Sequence, residues 1–136
     1  MNTNNLSYTL SDQPSERYID AIHALLKKTY WASDRTRDQV AESLRHSIII
    51  FALDPSGQLV GCARAVTDTV TFAWICDVVV DEHHRGKGLG KQLMSTLLAH
   101  PGVVGTRKIL VTKDAQGLYQ KFGFKTHPFE CMVKLI

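Results

Sequence analysis

The stretch from Val78 to Lys91, V-V-V-D-E-H-H-R-G-K-G-L-G-K, decides the fold of this 136-residue chain. It starts as a β-branched strand, passes through a glycine-rich loop and continues into apolar residues at helical spacing. Three glycines alternate in the loop, at Gly86, Gly88 and Gly90. Cationic side chains flank them at Arg85, Lys87 and Lys91. Because glycine lets backbone N–H groups approach a ligand and a helix start adds unpaired donors, the loop predicts a site for a phosphate-like anion. A plain glycine-rich surface turn is the alternative.

The glycine spacing excludes two common nucleotide-binding motifs. A Walker loop, G-x-x-x-x-G-K-[ST], fails because Gln92 follows Lys91 and Arg85 stands where the first glycine belongs. A dinucleotide fingerprint, G-x-G-x-x-G, fails because Lys91 falls on the third glycine. The strand before the loop is also expected to be the fourth of the chain, whereas a dinucleotide fold places its loop after the first.

The flanking segments predict the element order β-α-α-β-β-β-α-β-α-β. Three strand-like runs joined by short turns precede the loop and predict an antiparallel meander: Ile48–Leu53, Leu59–Val66 and Thr71–Val80. Ahead of the meander we expect a strand at Leu6–Leu10, a helix at Glu16–Lys28 and a second helix from about Thr36. After the loop we expect a helix at Leu89–Ala99, a strand at Lys108–Val111, a helix at Asp114–Phe122 and a last strand at Glu130–Ile136.

Length and composition fit one globular domain. Sixteen Lys and Arg against thirteen Asp and Glu give a net charge of +3, which suits an anionic ligand but is too weak to indicate nucleic acid. The chain starts without a signal-peptide pattern and its apolar runs are too short to span a membrane, so we expect a cytoplasmic protein. The histidines show no ligand spacing, and no metal site is expected. Free thiols are expected at Cys62, Cys76 and Cys131.

Two motifs, in this order, resemble those of GNAT-type N-acetyltransferases. The first is R-x-x-G-x-G, formed by Arg85, Gly88 and Gly90 after the strand V-V-V. The second, T-K-D-A-Q-G-L-Y-Q-K-F-G-F, is similar to the family segment N-x-x-A-x-x-L-Y-x-K-x-G-F, with Thr112 in the place of the asparagine. The resemblance implies one N-acetyltransferase domain over residues 1–136. It also implies the GNAT fold, an α+β sandwich with a mixed, mostly antiparallel sheet of six to seven strands flanked by about four helices.

By this resemblance, the ligand of the loop is acetyl-CoA, with its pyrophosphate on Arg85, Gly86, Lys87, Gly88, Leu89, Gly90 and Lys91. The backbone of Val78, Val79 and Val80 would hold the amide arm of the cofactor, and Thr112 could offer a hydroxyl. Tyr119 would protonate the departing thiolate, unless it is only a packed aromatic. The acceptor pocket would recruit Tyr30, Trp31, Phe72 and Trp74, although core anchoring is an equal alternative for Trp31.

Asp77 places a carboxylate inside an apolar strand, where an unpaired charge would be costly. It is our candidate general base; a hydrogen bond to the next strand or a salt bridge, for example to Arg64, is the structural alternative. Strict alternation sets it opposite Phe72, Trp74, Cys76 and Val78, although a bulge would change that register.

The reaction implied is direct attack of a primary amine on the thioester in a ternary complex, with a small molecule as the acceptor. A protein or aminoacyl-tRNA amine is the alternative acceptor, and a non-catalytic CoA-binding module is the alternative class. The exposed edge of the last strand could pair with a second copy, so a homodimer is one option.

Overall fold

A computed structural model describes residues 8–136, which form one mixed sheet with helices on both faces. The strands lie in the order β1-β2-β3-β4-β5. Neighbours are antiparallel except β4 and β5, which are parallel. The predicted meander and the later parallel crossover are therefore confirmed. The strands are β1 (Thr9–Ser11), β2 (Ile48–Leu53), β3 (Leu59–Thr67), β4 (Phe72–Val80) and β5 (Arg107–Ile109).

The second helix begins where the sequence predicts, directly after Thr36. Thr36 caps the second helix, since its hydroxyl accepts a 3.1 Å hydrogen bond from the Gln39 N–H and its own N–H donates to the Gln39 side chain. The helix expected from Glu16 starts instead as a 3₁₀ turn, Glu16–Tyr18. Among the described residues, no helix is both long and apolar enough to cross a membrane. The helices are α1 (Ile19–Lys27), α2 (Arg37–Arg45), α3 (Leu89–Ala99), α4 (Pro101–Val104) and α5 (Gln116–Gln120).

Two apolar clusters cover the two faces of the sheet. Helix α3 packs on one face, where its buried side chains Leu93, Met94 and Leu97 meet those of the strands. Helices α1 and α2 cover the other face, with Ile22 and Val40 among the buried residues. Because each helix buries one apolar stripe against the sheet, the result is the α+β sandwich that the resemblance implies.

A bulge in β4 inverts the side-chain alternation of that strand. Cys62 pairs with Val79 and Arg64 pairs with Cys76, so β4 has one residue more than β3 between these pairs. Before the bulge Ile75 points to the α3 face, whereas after it Val79 points to the α1 and α2 face. The extra residue therefore moves every later side chain to the opposite face.

Two sequence-based expectations about the strands are wrong in detail. The sheet has five strands within residues 8–136 rather than six or seven, since residues 130–136, where a last strand was expected, are exposed and form no strand there. Strand β5 and helix α5 are also shorter than expected. The first expected strand is only partly testable, since Leu6 and Ser7 lie outside the described residues, and β1 begins at Thr9.

Candidate active site

The glycine loop forms an open cradle at the start of α3. Gly86 and Gly88 have φ angles of 78° and 79°, a backbone region that residues other than glycine rarely adopt. A Cβ at Gly86, Gly88 or Gly90 would meet nothing within 4 Å, so the space above the loop is free. The first helical bond runs from the Gln92 N–H to the Gly88 carbonyl (3.1 Å), so the N–H groups before Gln92 have no partner within the helix. These donors and the helix dipole favour an anion.

Around the loop, two side chains form hydrogen bonds to the rest of the protein and two cationic side chains are exposed. Arg85 donates from Nε to the Val80 carbonyl at 3.2 Å, which ties the loop to the end of β4. His84 pairs with the Tyr8 hydroxyl at 2.9 Å. Lys87 and Lys91 are exposed, whereas Leu89 is buried, so Leu89 can offer a ligand only its backbone.

Strand β4 loses its β5 neighbour halfway along its length. The two strands pair only at Phe72, Ala73 and Trp74, whereas β4 continues to Val80. The remaining half therefore presents backbone N–H and C=O groups along the edge that β5 has left. This open edge includes residues 78–80 and ends beside the glycine loop.

The carboxylate of Asp77 lies at the bulge and accepts hydrogen bonds from three side chains. Trp31 Nε1 donates to Oδ1 at 2.9 Å, while Arg35 Nη1 and Arg64 Nε donate to Oδ2 at 2.6 and 2.7 Å. Burial alone would raise the pKa of Asp77, but the charges and hydrogen bonds of Arg64 and Arg35 outweigh it and lower the pKa. Asp77 is therefore a stable carboxylate anion. The bulge also sets it on the face of Arg64, which corrects the face predicted from strict alternation.

Tyr30 and Trp31 join the α1–α2 connection to the segment before α5. Their rings lie 5.0 Å apart, edge to face. The Tyr30 hydroxyl accepts a 3.1 Å hydrogen bond from the Lys113 N–H, and the Lys113 ammonium lies 5.3 Å from the Tyr30 ring centre. Both aromatic residues remain 56% and 41% exposed, which leaves them available to an acceptor.

Tyr119 lies on α5 and packs against the α3-side cluster. Partial burial, followed by the proximity of Tyr30 and Asp114, raises the pKa of its phenol. The Thr112 hydroxyl oxygen accepts from the Ala115 N–H at 3.0 Å, which stabilises the turn into α5. Its own proton is still available to a ligand.

The sequence model of the acetyltransferase (GNAT) domain matches residues 45–126, which is more than half of the chain and includes both motifs. This protein belongs to the GNAT family. Members of the family generally use acetyl-CoA as cosubstrate. A crystal structure described as a GNAT-family acetyltransferase, from Xanthomonas campestris pv. campestris, superposes on the GNAT domain with a TM-score of 0.88. The two sequences are 35% identical, and the match covers 95% of this chain and 93% of that one.

Curated relatives support the same assignment. An uncharacterized N-acetyltransferase of Porphyra purpurea is 36% identical over 69% of this GNAT chain and 58% of its own length. A histone acetyltransferase of Glycine max is 30% identical over 79% of the chain and 52% of its own length. The chain thus spans little more than half the length of these two relatives.

The structure groups some of the predicted acceptor residues and separates others. Tyr30 and Trp31 lie together beside Asp77, whereas Phe72 and Trp74 lie on the half of β4 that still pairs with β5. Sequence reasoning missed Lys113, whose contacts fix Tyr30. Its position directly after Thr112, inside the second motif, was the signal available. In the part of the chain that the structure describes, no cluster of His, Cys, Asp and Glu could hold a metal ion.

Proposed function

We propose that this GNAT protein transfers the acetyl group of acetyl-CoA to the primary amine of a small molecule. The observation that carries the proposal is the open edge of β4, which connects three groups suited to this ligand. The glycine cradle lies at the end of β4, and the Asp77 bulge lies near the middle of that strand. The segment carrying Thr112 and Tyr119 follows β5, the strand that pairs only with the first half of β4.

The cradle fits a pyrophosphate. The first N–H groups of α3 have no partner within the helix, a Cβ at Gly86, Gly88 or Gly90 would meet nothing within 4 Å, and the neighbouring Lys87 and Lys91 are exposed. Arg85 is anchored on Val80, so its backbone and remaining guanidinium donors shape the rim. The β4 edge at residues 78–80 offers backbone donors and acceptors for the amide arm of the cofactor, as an added strand would use them.

The chain's own residues can assist the transfer without a covalent enzyme intermediate. Acetyl-CoA supplies an activated thioester. The amine nitrogen forms a bond to the carbonyl carbon, the carbon–sulfur bond breaks, and the Tyr119 hydroxyl gives its proton to the departing sulfur. The amine loses a proton to solvent or to a base, and solvent returns a proton to the Tyr119 phenolate. The raised pKa of Tyr119 keeps its hydroxyl protonated, and therefore able to donate, at neutral pH.

For Asp77 we propose a positioning role in preference to that of general base. Its carboxylate already accepts from Trp31, Arg35 and Arg64, and its lowered pKa makes it a weak proton acceptor. This arrangement holds the indole of Trp31 in place at the site, and the residue remains 41% exposed. The base role remains the alternative, to be judged by the pH–rate profile.

A small acceptor is supported by the closeness of the aromatic pair to the Asp77 bulge. Tyr30 is held by Lys113 and Trp31 is held by Asp77, so both exposed rings are fixed beside the bulge. A relative from Trypanosoma brucei brucei is named a glucosamine 6-phosphate N-acetyltransferase, whereas the Glycine max relative is named a histone acetyltransferase. A protein amine is therefore the second candidate acceptor.

Two measurements test this function. Acetyl-CoA at high micromolar concentration should raise the melting temperature, because a ligand that binds the native state stabilises it. A screen of small amines, amino acids, polyamines and histone-tail peptides, read by release of free CoA thiol, should then give turnover with a small amine. Absence of a thermal shift would refute cofactor binding, and turnover with peptides alone would favour the second candidate.

A further inference from the structure

Two arginines share one buried carboxylate beside the exposed aromatic pair. Arg64 and Arg35 donate to Oδ2 of Asp77 at 2.7 and 2.6 Å, and within residues 8–136 neither arginine forms an ion pair with another carboxylate. One negative charge therefore faces two positive charges. Because Arg64 alone would neutralise the carboxylate, the charge of Arg35 is in excess at this site.

The two guanidinium groups differ in what else they bind. The side chain of Arg64 is only 10% exposed and also donates from Nη1 to the Ser47 hydroxyl at 2.8 Å. The side chain of Arg35 is 28% exposed, and in the described part of the chain its Nε and Nη2 donate to no residue. Arg64 is thus bound within the protein, whereas Arg35 keeps N–H donors for a ligand.

Arg35 is held in one position although it is partly exposed. Its N–H donates to the Ala32 carbonyl at 3.3 Å, its own carbonyl accepts from His23 Nε2 at 3.0 Å, and its guanidinium is fixed on Asp77. A free arginine loses conformational entropy when it binds a ligand, whereas one already held by a carboxylate loses less. Arg35 is therefore preorganised for binding.

A second cation lies beside the aromatic pair. Lys113 Nζ lies 5.3 Å from the ring centre of Tyr30, whose ring lies edge to face on that of Trp31. The acidic neighbours Asp34 and Asp114 are exposed, and neither forms an ion pair with any of residues 8–136. Water screens exposed acids, so they offset the cations only weakly. The surface around the two rings therefore has a local excess of positive charge.

Given the acetyl transfer proposed above, on which this inference rests, we propose that the acceptor amine also carries a carboxylate or a phosphate, which Arg35 binds. The Nε and Nη2 donors lie on one edge of the guanidinium, the geometry that binds two oxygens of one such anion with charge-assisted hydrogen bonds. Tyr30 and Trp31 then contact the body of the acceptor. The same positive charge disfavours polyamines, because they would bring further cations to this surface.

Matched acceptors test the preference on the unmodified chain. Several amino acids should each be compared with their amides, and glucosamine 6-phosphate with glucosamine, by thiol release at equal concentrations of unprotonated amine. The amino-acid pairs report a carboxylate and the sugar pair a phosphate. We expect kcat/KM to be about tenfold or more higher for the anionic member of at least one pair, mainly through KM. Neutral members used as well as their anionic partners in every pair would overturn anion recognition, while acetyl transfer itself would stand.

A pair of arginine variants assigns the preference to one side chain. Arg35→Gln and Arg37→Gln remove the same charge two positions apart, and Arg37 pairs with the exposed Asp20. In Arg35→Gln the preference should fall below about twofold, with kcat for the neutral acceptor nearly unchanged, because Arg64 still pairs with Asp77. Arg37→Gln should keep the preference. An equal loss of activity toward both members of a pair in Arg35→Gln would show that Arg35 only supports the fold, and would overturn its role.

Tryptophan fluorescence measures acceptor binding without turnover. Trp31 is 41% exposed at the site, so its emission should change as an acceptor binds. In the presence of coenzyme A, the anionic member of the preferred pair should saturate this change at about tenfold lower concentration than its neutral partner. This preference without any thiol release would refute acetyl transfer and leave anion recognition in place. Equal titration curves in every pair would overturn anion recognition, even where Arg35→Gln fails to fold.

Discussion

The indole nitrogen of Trp31 donates a 2.9 Å hydrogen bond to Oδ1 of Asp77, a residue 46 positions later in the chain. Asp77 has φ = 49°, in the left-handed region, and its side chain is almost fully buried. The strained backbone and the buried charge are both stabilised by contacts, since Arg35 and Arg64 neutralise the carboxylate. The bulge in β4 thus fixes an aromatic side chain at the candidate acceptor site.

Replacing Asp77 with asparagine should destabilise the protein by about 3 kcal/mol, because two arginines would lose their buried counter-charge. Asparagine tolerates positive φ, so the backbone strain should not increase. The pKa of Asp77 is lowered below its ordinary 3.8 in the folded state. Its contribution to stability is therefore complete above about pH 5 and is lost as the pH falls through the folded pKa. Urea unfolding at several pH values should show the wild-type advantage at neutral pH and its decline below pH 4.

The same variant separates the two roles of Asp77. If Asp77 acts only through Trp31, Asp77→Asn should raise KM for the amine and leave the shape of the pH–rate profile unchanged. Loss of the acidic limb of that profile would instead identify Asp77 as the general base. An Asn variant as stable as wild type at pH 7 would contradict the ion-pair account.

Short sequence patterns predicted the parts of the structure that depend on local backbone conformation. Gly88 was predictable because a loop that needs positive φ favours glycine, and Thr36 because a capping box is a local pattern. Of the partners of Asp77, the sequence suggested Arg64, 13 residues away, and that ion pair is present. Trp31 and Arg35 were harder to predict, since they lie 46 and 42 residues away and meet Asp77 only after the sheet and helices pack.

The strand pattern shows a second limit of local reasoning. The aromatic and β-branched residues of β4 predicted a strand, but one extra residue at the bulge reversed the faces after Cys76. The sequence also predicted a last strand at Glu130–Ile136, yet strand formation depends on packing against neighbouring strands, which the sequence alone does not provide. In the structure these residues pair with no strand of residues 8–136 and remain exposed.

Cys76 should be dispensable for catalysis. Burial is the main cause that raises the pKa of its thiol to about 11, so at pH 7 about one molecule in ten thousand carries the reactive thiolate. Cys76→Ser should therefore keep kcat within about twofold in the thiol-release assay. Recovery of an acetylated Cys76 by mass spectrometry after mixing with acetyl-CoA would contradict direct transfer.

Removing the Tyr119 hydroxyl should affect chemistry more than binding. Tyr119→Phe is expected to lower kcat by about 10²-fold, the usual contribution of a positioned general acid, and to leave the acetyl-CoA dissociation constant nearly unchanged. The pKa of Tyr119 is raised above its ordinary value of 10, so the wild-type rate should not fall through ionisation of this phenol below pH 10. Tyr18→Phe is the matched control, because Tyr18 packs on Phe51 under the helices. An equal rate for the Tyr119 and Tyr18 variants would remove Tyr119 from the reaction.

Gly88 and Gly57 form a matched pair that separates backbone strain from cofactor binding. Both have positive φ, 79° and 86°, and a Cβ at either position would meet nothing within 4 Å. Alanine at each position should therefore cost about 1 kcal/mol of stability through the left-handed backbone alone. Gly88 begins α3 at the open cradle, whereas Gly57 lies in the turn between β2 and β3. Gly88→Ala should raise KM for acetyl-CoA at least tenfold because its methyl group crowds the pyrophosphate, while Gly57→Ala should leave KM unchanged. If Gly88→Ala and Gly57→Ala have equal stability by calorimetry and also equal KM values for acetyl-CoA, the pyrophosphate binds elsewhere.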